Sequence, residues 1–151
     1  MPKAIRATFA IAVALIAAAL FLYSRNTTPV VPRLATSEAV AMGSPWVVKL
    51  HAQWCPVCML TKGVWSEIEQ TYAGRVRLAV FDVTNDETSA ASRAEAERLG
   101  LGYVFEEASF ATGSILVLDG SSKKIVAWIN GSRDFAEYRA AVDSALATAT
   151  R

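Results

Sequence analysis

Apolar residues in this chain form one long unbroken block near the start, then short β-branched blocks bounded by turn residues, and stretches where they return at helical spacing. The long block, residues 7–23, is uncharged and rich in Ala, Ile, Leu and Phe, as expected of a segment addressed to a membrane. Its length lies between a signal-peptide core and a spanning helix, so its flanks decide between them. It runs into Phe21-Leu22-Tyr23 and Ser24-Arg25-Asn26 rather than a small-residue cleavage site, which predicts a retained signal-anchor helix over 1–25. Lys3 and Arg6 precede the block, whereas Arg25 and Arg33 follow it, and this bias keeps the N-terminus cytoplasmic and sends the remainder outward. A cleaved signal would export the same domain in soluble form. Residues 26–35, with two prolines, read as an extended linker, leaving one domain over 36–150.

Within that domain, Thr36-Ser37-Glu38 start a short helix ending near Gly43, and Trp46-Val47-Val48-Lys49-Leu50-His51 has strand composition. Val57, Leu60, Val64, Ile68 and Tyr72 recur at helical spacing up to Gly74, which predicts one amphipathic helix. Val76, Leu78 and Val80 alternate with Arg77 and Ala79 in a second strand, and residues 88–99 form an Ala/Glu/Arg-rich helix stopped by Gly100. Residues 103–111, apolar and acidic, resist assignment to helix or loop. Ile115-Leu116-Val117-Leu118 reads as a strand buried on both faces; a turn at 119–122 leads to a return strand over 125–129. Ser132 or Asp134 caps a last helix with Phe135, Tyr138, Val142 and Leu146 on one face.

Charge narrows the function. Fifteen basic and 14 acidic residues give a net charge of +1 with no basic run, so no nucleic-acid partner held by phosphate neutralisation is expected. Both cysteines stand in Trp54-Cys55-Pro56-Val57-Cys58, directly after the first strand. Proline suits the first helical turn, which puts Cys55 at the helix N-terminus, where the dipole favours a thiolate, and Cys58 one turn further in. A closed zinc site requires four ligands, but this chain has one cysteine pair and a single histidine, His51; no bound metal is assigned. A structural disulfide closing so short a loop would remove little unfolded-state entropy. A redox pair is the favoured reading.

The run Val-Val-Lys-Leu-His-Ala-Gln-Trp-Cys-Pro-Val-Cys, over 47–58, and the element order around it resemble the thioredoxin superfamily across roughly 36–149. The resemblance implies an α/β fold, a three-layer sandwich with a central mixed sheet, here behind one N-terminal transmembrane helix. It implies a thiol–disulfide oxidoreductase with no organic cofactor. Cys55 would attack a substrate sulfur, and Cys58 would resolve the mixed disulfide to leave Cys55–Cys58 oxidised. Implied partners are protein thiols and disulfides, together with a membrane or thioredoxin-type electron-transfer protein. The tethered form is similar to proteins that bacteria hold on the periplasmic face of the inner membrane.

Trp54 would shape the substrate-facing surface. Four features depart from the family pattern. Lys49 stands where a buried Asp is usual, and near the pair it would favour thiolates and a more oxidising couple; alternatively its head reaches solvent from a strand end. Thr112-Gly113 stands where a cis-proline is usual, which puts substrate docking by that loop in question and opens room for a bridged metal site. Pro56-Val57 differs from Gly-Pro and is compatible with a wide range of potentials. His51 replaces an aromatic, as a tuner of Cys55 or as a half-buried, hydrogen-bonded strand histidine. Two other functions stay open: a Cu(I), Zn(II) or bridged iron–sulfur handling module, and a redox-silent adaptor.

Overall fold

The computed structural model describes Val40 and residues 43–149, all within the chain's second unit, Leu34–Arg151. The predicted membrane helix, the linker and most of the helix expected over 36–43 lie outside the described residues. Among the described residues, no helix is long and apolar enough to cross a membrane.

Strand β1, Trp46–His51, lies inside a four-stranded sheet of order β2-β1-β3-β4. It pairs in parallel with β2, Arg77–Asp82, and antiparallel with β3, Ser114–Leu118; β3 pairs antiparallel with β4, Ile125–Asn130. Because both edges of β1 are paired and helices cover both faces, its β-branched text serves two cores. Val47 packs with Val64, Trp65 and Ile68 of one helix and with Tyr138 and Val142 of another. Val48 and Leu50 pack on the opposite side with Ala96, Val104 and Phe105. The expected three-layer mixed sandwich is therefore present. The alternation seen in 76–80 divides side chains between two cores, with Ala79 as buried as Leu78.

The helix expected over 57–72 is broken into α1, Pro56–Leu60, and α2, Lys62–Thr71. Thr61 lies between them at φ −88°, ψ 1°, and its buried hydroxyl donates to the Val57 carbonyl at 3.1 Å. Such back-bonding competes with the backbone ladder and bends helices. Helix α3, Asp86–Arg98, starts two residues earlier than the composition suggests because Asn85 and Thr88 form a capping box: Thr88 N–H donates to Asn85 Oδ1 at 2.9 Å, and Asn85 N–H donates to Thr88 Oγ1 at 3.1 Å.

The unassigned 103–111 segment is mostly helix α4, Gly102–Ala108, with Val104, Phe105 and Ala108 buried and Phe105 edge-on to Phe81 at 5.8 Å between centroids. It has no side-chain N-cap, so the usual start signal is missing. Helix α5, Phe135–Ala149, is capped by Asp134, whose carboxylate accepts from Ala136 N–H at 2.9 Å. Tyr72 ties α2 to α5 by donating to Asp143 Oδ1 at 2.9 Å. At the end of the sheet away from the cysteines, the Arg77 guanidinium donates to the Ser44 and Gly120 carbonyls at 2.7 and 2.8 Å and covers the Trp46 ring.

Candidate active site

Cys55 follows β1 by four residues and is the N-cap of α1, with extended backbone at φ −87°, ψ 112° and Pro56 opening the helix. Proline lacks the N–H that a first-turn residue would leave unpaired, so it fits without cost, and the Cys58 N–H is free to donate to Cys55 Sγ at 3.2 Å. Both cysteines are free thiols and both are buried. Cys58, one turn further in, is 2% exposed and Cys55 3%, and the Thr112 hydroxyl reaches Cys55 from the loop before β3.

Their environments still separate them. Burial pushes the Cys55 thiol up, but hydrogen bonds from the Cys58 thiol, from the Thr112 hydroxyl and from the backbone of Cys58 and Val57 outweigh it and hold Cys55 below its ordinary value of 9.0. Burial pushes Cys58 up, and its hydrogen bond to Cys55 adds to that, so its thiol stays above 9.0. Cys58 Sγ–H also points to the Leu50 carbonyl at 3.7 Å. The pair thus divides into a Cys55 that ionises the more readily and a Cys58 that holds its proton the more tightly.

That carbonyl of Leu50 is a junction with no signal in the local run of residues. It also accepts from Gly113 N–H at 2.9 Å, which fixes the loop before β3 against the end of β1. Gly113 has φ +88° and Gly131 has φ +71°, a region open to glycine at little cost. A Cβ on Gly113 would lie 2.5 Å from Val57 Cγ1, and one on Gly131 would lie 3.0 Å from the same atom. Val57 therefore sits against the backbone of two loops. Among the described residues every peptide bond is trans.

Lys49 does not reach solvent from a strand end: it lies in the middle of β1, is 6% exposed, and places Nζ 5.6 Å from the Trp65 ring centroid. Burial pushes its ammonium below 10.5, opposed chiefly by the charge of Cys58 and then by Glu69. His51 is half-buried as expected but not hydrogen-bonded through Nδ1, which is buried without a partner among the described residues. Burial lowers its pKa from 6.5, and the carboxylate of Asp82, its partner across β2, opposes the shift. Trp54 is 63% exposed and pinned by its indole N–H to the Thr84 carbonyl at 2.9 Å. Met59 and Phe110, also exposed, extend the apolar surface of the segments that carry Cys58 and Thr112.

A cysteine held below its ordinary pKa at a helix start, beside a second thiol one turn on, is equipped for thiol–disulfide exchange. Among the described residues, no cluster of three or more His, Cys, Asp or Glu side chains is disposed to hold a metal ion.

The thioredoxin family model matches residues 33–98, from before β1 through the cysteine turn to the end of α3, and ends before the Thr112-Gly113 loop. No curated protein sequence matches the chain. Among solved structures, the chain is similar to thioredoxin O2 from Arabidopsis thaliana in its oxidized state, with 21% identity over 73% of this chain and 82% of that one and a TM-score of 0.44. It is similar to a thiol:disulfide interchange protein of the thioredoxin family from Chlorobium tepidum, with 20% identity over 70% and 81% of the two chains and a TM-score of 0.45. For Trxlp from Edwardsiella tarda the identity is 22%, over 69% and 86%, with a TM-score of 0.41. The model matched over 33–98, the order of the strands and helices and the Cys-Pro-Val-Cys turn that opens α1 give the domain a thioredoxin-like α/β fold carrying a cysteine pair of the thiol–disulfide oxidoreductase type.

Proposed function

We propose that this domain exchanges disulfides with protein thiols through Cys55 and Cys58, while tethered by residues 7–23 to the outer face of a bacterial inner membrane. The observation that carries the chemistry is the division of labour within the pair. Cys55 Sγ accepts the Cys58 N–H at 3.2 Å and is held below its ordinary pKa, whereas Cys58 keeps its proton one turn away. Cys55 is then the nucleophile. Its thiolate attacks one sulfur of a substrate disulfide, forming a mixed disulfide and releasing the other sulfur as a thiolate. Cys58 gives up its proton, attacks Cys55 Sγ and releases the second substrate thiol, so two electrons pass to the substrate and the Cys55–Cys58 bond forms; the reverse sequence oxidises a substrate. Trp54 and Phe110 offer apolar surface on which a protein substrate rests beside the buried sulfurs. The location is supported by the uncharged 7–23 run and by Lys3 and Arg6 ahead of it.

Replacing Cys58 with Ser leaves a nucleophile with nothing to resolve it. Cells expressing Cys58→Ser should accumulate reductant-sensitive adducts on non-reducing gels, which vanish in Cys55→Ser/Cys58→Ser. Equal adduct formation through position 58 in Cys55→Ser would overturn the assignment of roles.

A further inference from the structure

A side chain as exposed as Trp54 ordinarily moves freely between rotamers, yet the turn that carries this ring is held at two points by a single residue. Thr84, two residues beyond β2, accepts the Gln53 N–H on its hydroxyl oxygen at 2.9 Å and the Trp54 indole N–H on its backbone carbonyl at 2.9 Å. The first bond places the backbone beside the ring, and the second sets the way the ring faces. Behind Thr84 stands Asp82, the last residue of β2, whose Oδ1 accepts from the Thr84 N–H at 2.8 Å and from the Thr84 hydroxyl. A hydroxyl has one proton to give. Because that proton goes to Asp82, the Thr84 oxygen turns a lone pair to Gln53, and the bonds form one connected chain.

Asp82 is itself fixed. Its N–H donates to the Ser92 hydroxyl at 2.8 Å, and that hydroxyl donates to the Asp82 carbonyl at 2.9 Å, which ties the strand end to α3. The next residue, Val83, donates its N–H to the His51 carbonyl at 2.8 Å, at the end of β1. Asp82 is in neither of the ion pairs among the described residues, Arg93–Glu106 and Arg98–Glu95. Its carboxylate instead serves Thr84, and through Thr84 the residue that precedes Cys55.

A ring ordered before a partner arrives loses no rotamer freedom when the partner packs on it, so its contact area counts in full towards binding. Resting on the exchange reading above, we propose that Asp82 and Thr84 are positioning residues that hold Trp54 as a preformed wall for polypeptide disulfides. They favour protein substrates, which extend far enough to pack on the ring, over small disulfides, which engage the sulfur alone.

The test takes the reduced full chain in detergent and measures its rate of oxidation by subsaturating insulin, a protein disulfide, and by bis(2-hydroxyethyl) disulfide, following the loss of free thiols by alkylation. Thr84→Val keeps the shape and the carbonyl but removes the hydroxyl, and should slow the insulin reaction about three- to tenfold. The small-disulfide rate should stay within about twofold of wild type, since only binding of the larger partner is weakened. Thr84→Ser, which keeps the hydroxyl, should restore the insulin rate. In a Trp54→Ala background Thr84→Val should cost insulin nothing further, because the ring it positions is gone. The Trp54 indole N–H resonance, assigned by its loss in Trp54→Phe, should exchange with solvent faster in Thr84→Val. Circular dichroism checks the fold, and if Thr84→Val does not fold, Asp82→Ala, which frees the hydroxyl to turn away from Gln53, gives the deciding rates. A folded variant that slows both disulfides alike or neither, or an insulin loss that persists in full without the Trp54 ring, would overturn this inference alone. Wild-type protein that exchanges with neither disulfide would overturn the exchange reading and this inference with it.

Discussion

Thr112 reaches Cys55 from a loop far away in sequence, and its hydroxyl is one of the groups holding that thiol below 9.0 against the opposing effect of burial. Hydrogen bonds to charged groups are worth about 1.5–3 kcal/mol, more than those between neutral partners. Thr112→Val keeps the shape but removes the donor. It should raise the Cys55 pKa and slow iodoacetamide alkylation at pH 7 several-fold, up to about tenfold, with the rate recovering at higher pH. The sign follows from the thiolate being the reactive form: a raised pKa leaves less of it at any pH below the titration. Single residues were unequally legible in the sequence. The placement of Cys55 and Pro56 at the start of α1 could be read because it follows from neighbours within a turn. The burial of Lys49 could not, because it depends on β2 and β3 both pairing with β1 and on α2 covering it, none of which the local run encodes.

At the level of elements, spacing predicted strands and long helices well because each shows a period, and it failed where a tertiary contact or a missing cap intervened. The break at Thr61 depends on one hydroxyl turning back to the Val57 carbonyl, which leaves the apolar spacing on either side unchanged. Helix α4 was hidden by its brevity and by the absence of a cap at Leu101. The loop before β3 shows the reverse case, where an unusual residue in the sequence marks a real constraint. Gly113 combines φ +88° with backbone contact to Val57, so a Cβ there is both strained and crowded. Gly113→Ala should destabilise the domain by about 2–5 kcal/mol, the sum of a positive-φ cost of about 1–2 and an overpacking cost of about 1–3. Urea unfolding measures it. Adding Val57→Ala should recover part of the overpacking cost, visible as a non-additive double-mutant cycle. Additive losses would show that the two residues do not share this contact.

On the scale of the whole molecule, two apolar cores sandwich the sheet and leave the cysteines at its margin, in a third small cluster with Ala52. The proposed anchor rests on the first residues alone, since hydropathy over 7–23 is read without tertiary information. Full-length protein expressed in bacteria should stay in the membrane pellet after alkaline carbonate extraction, and alkaline phosphatase fused at its C-terminus should be active. Inactive fusions, or protein released by carbonate, would reject the outward-facing tether. The seat of Val57 has a further implication for engineering. The two residues between the cysteines are the natural place to retune a potential by grafting a dipeptide from another protein. Here the second of them is keyed in size to two turns of backbone, at Gly113 and Gly131. A smaller graft would open a void beneath both turns and a larger one would force them apart, so in this chain sulfur chemistry and loop position are inherited together.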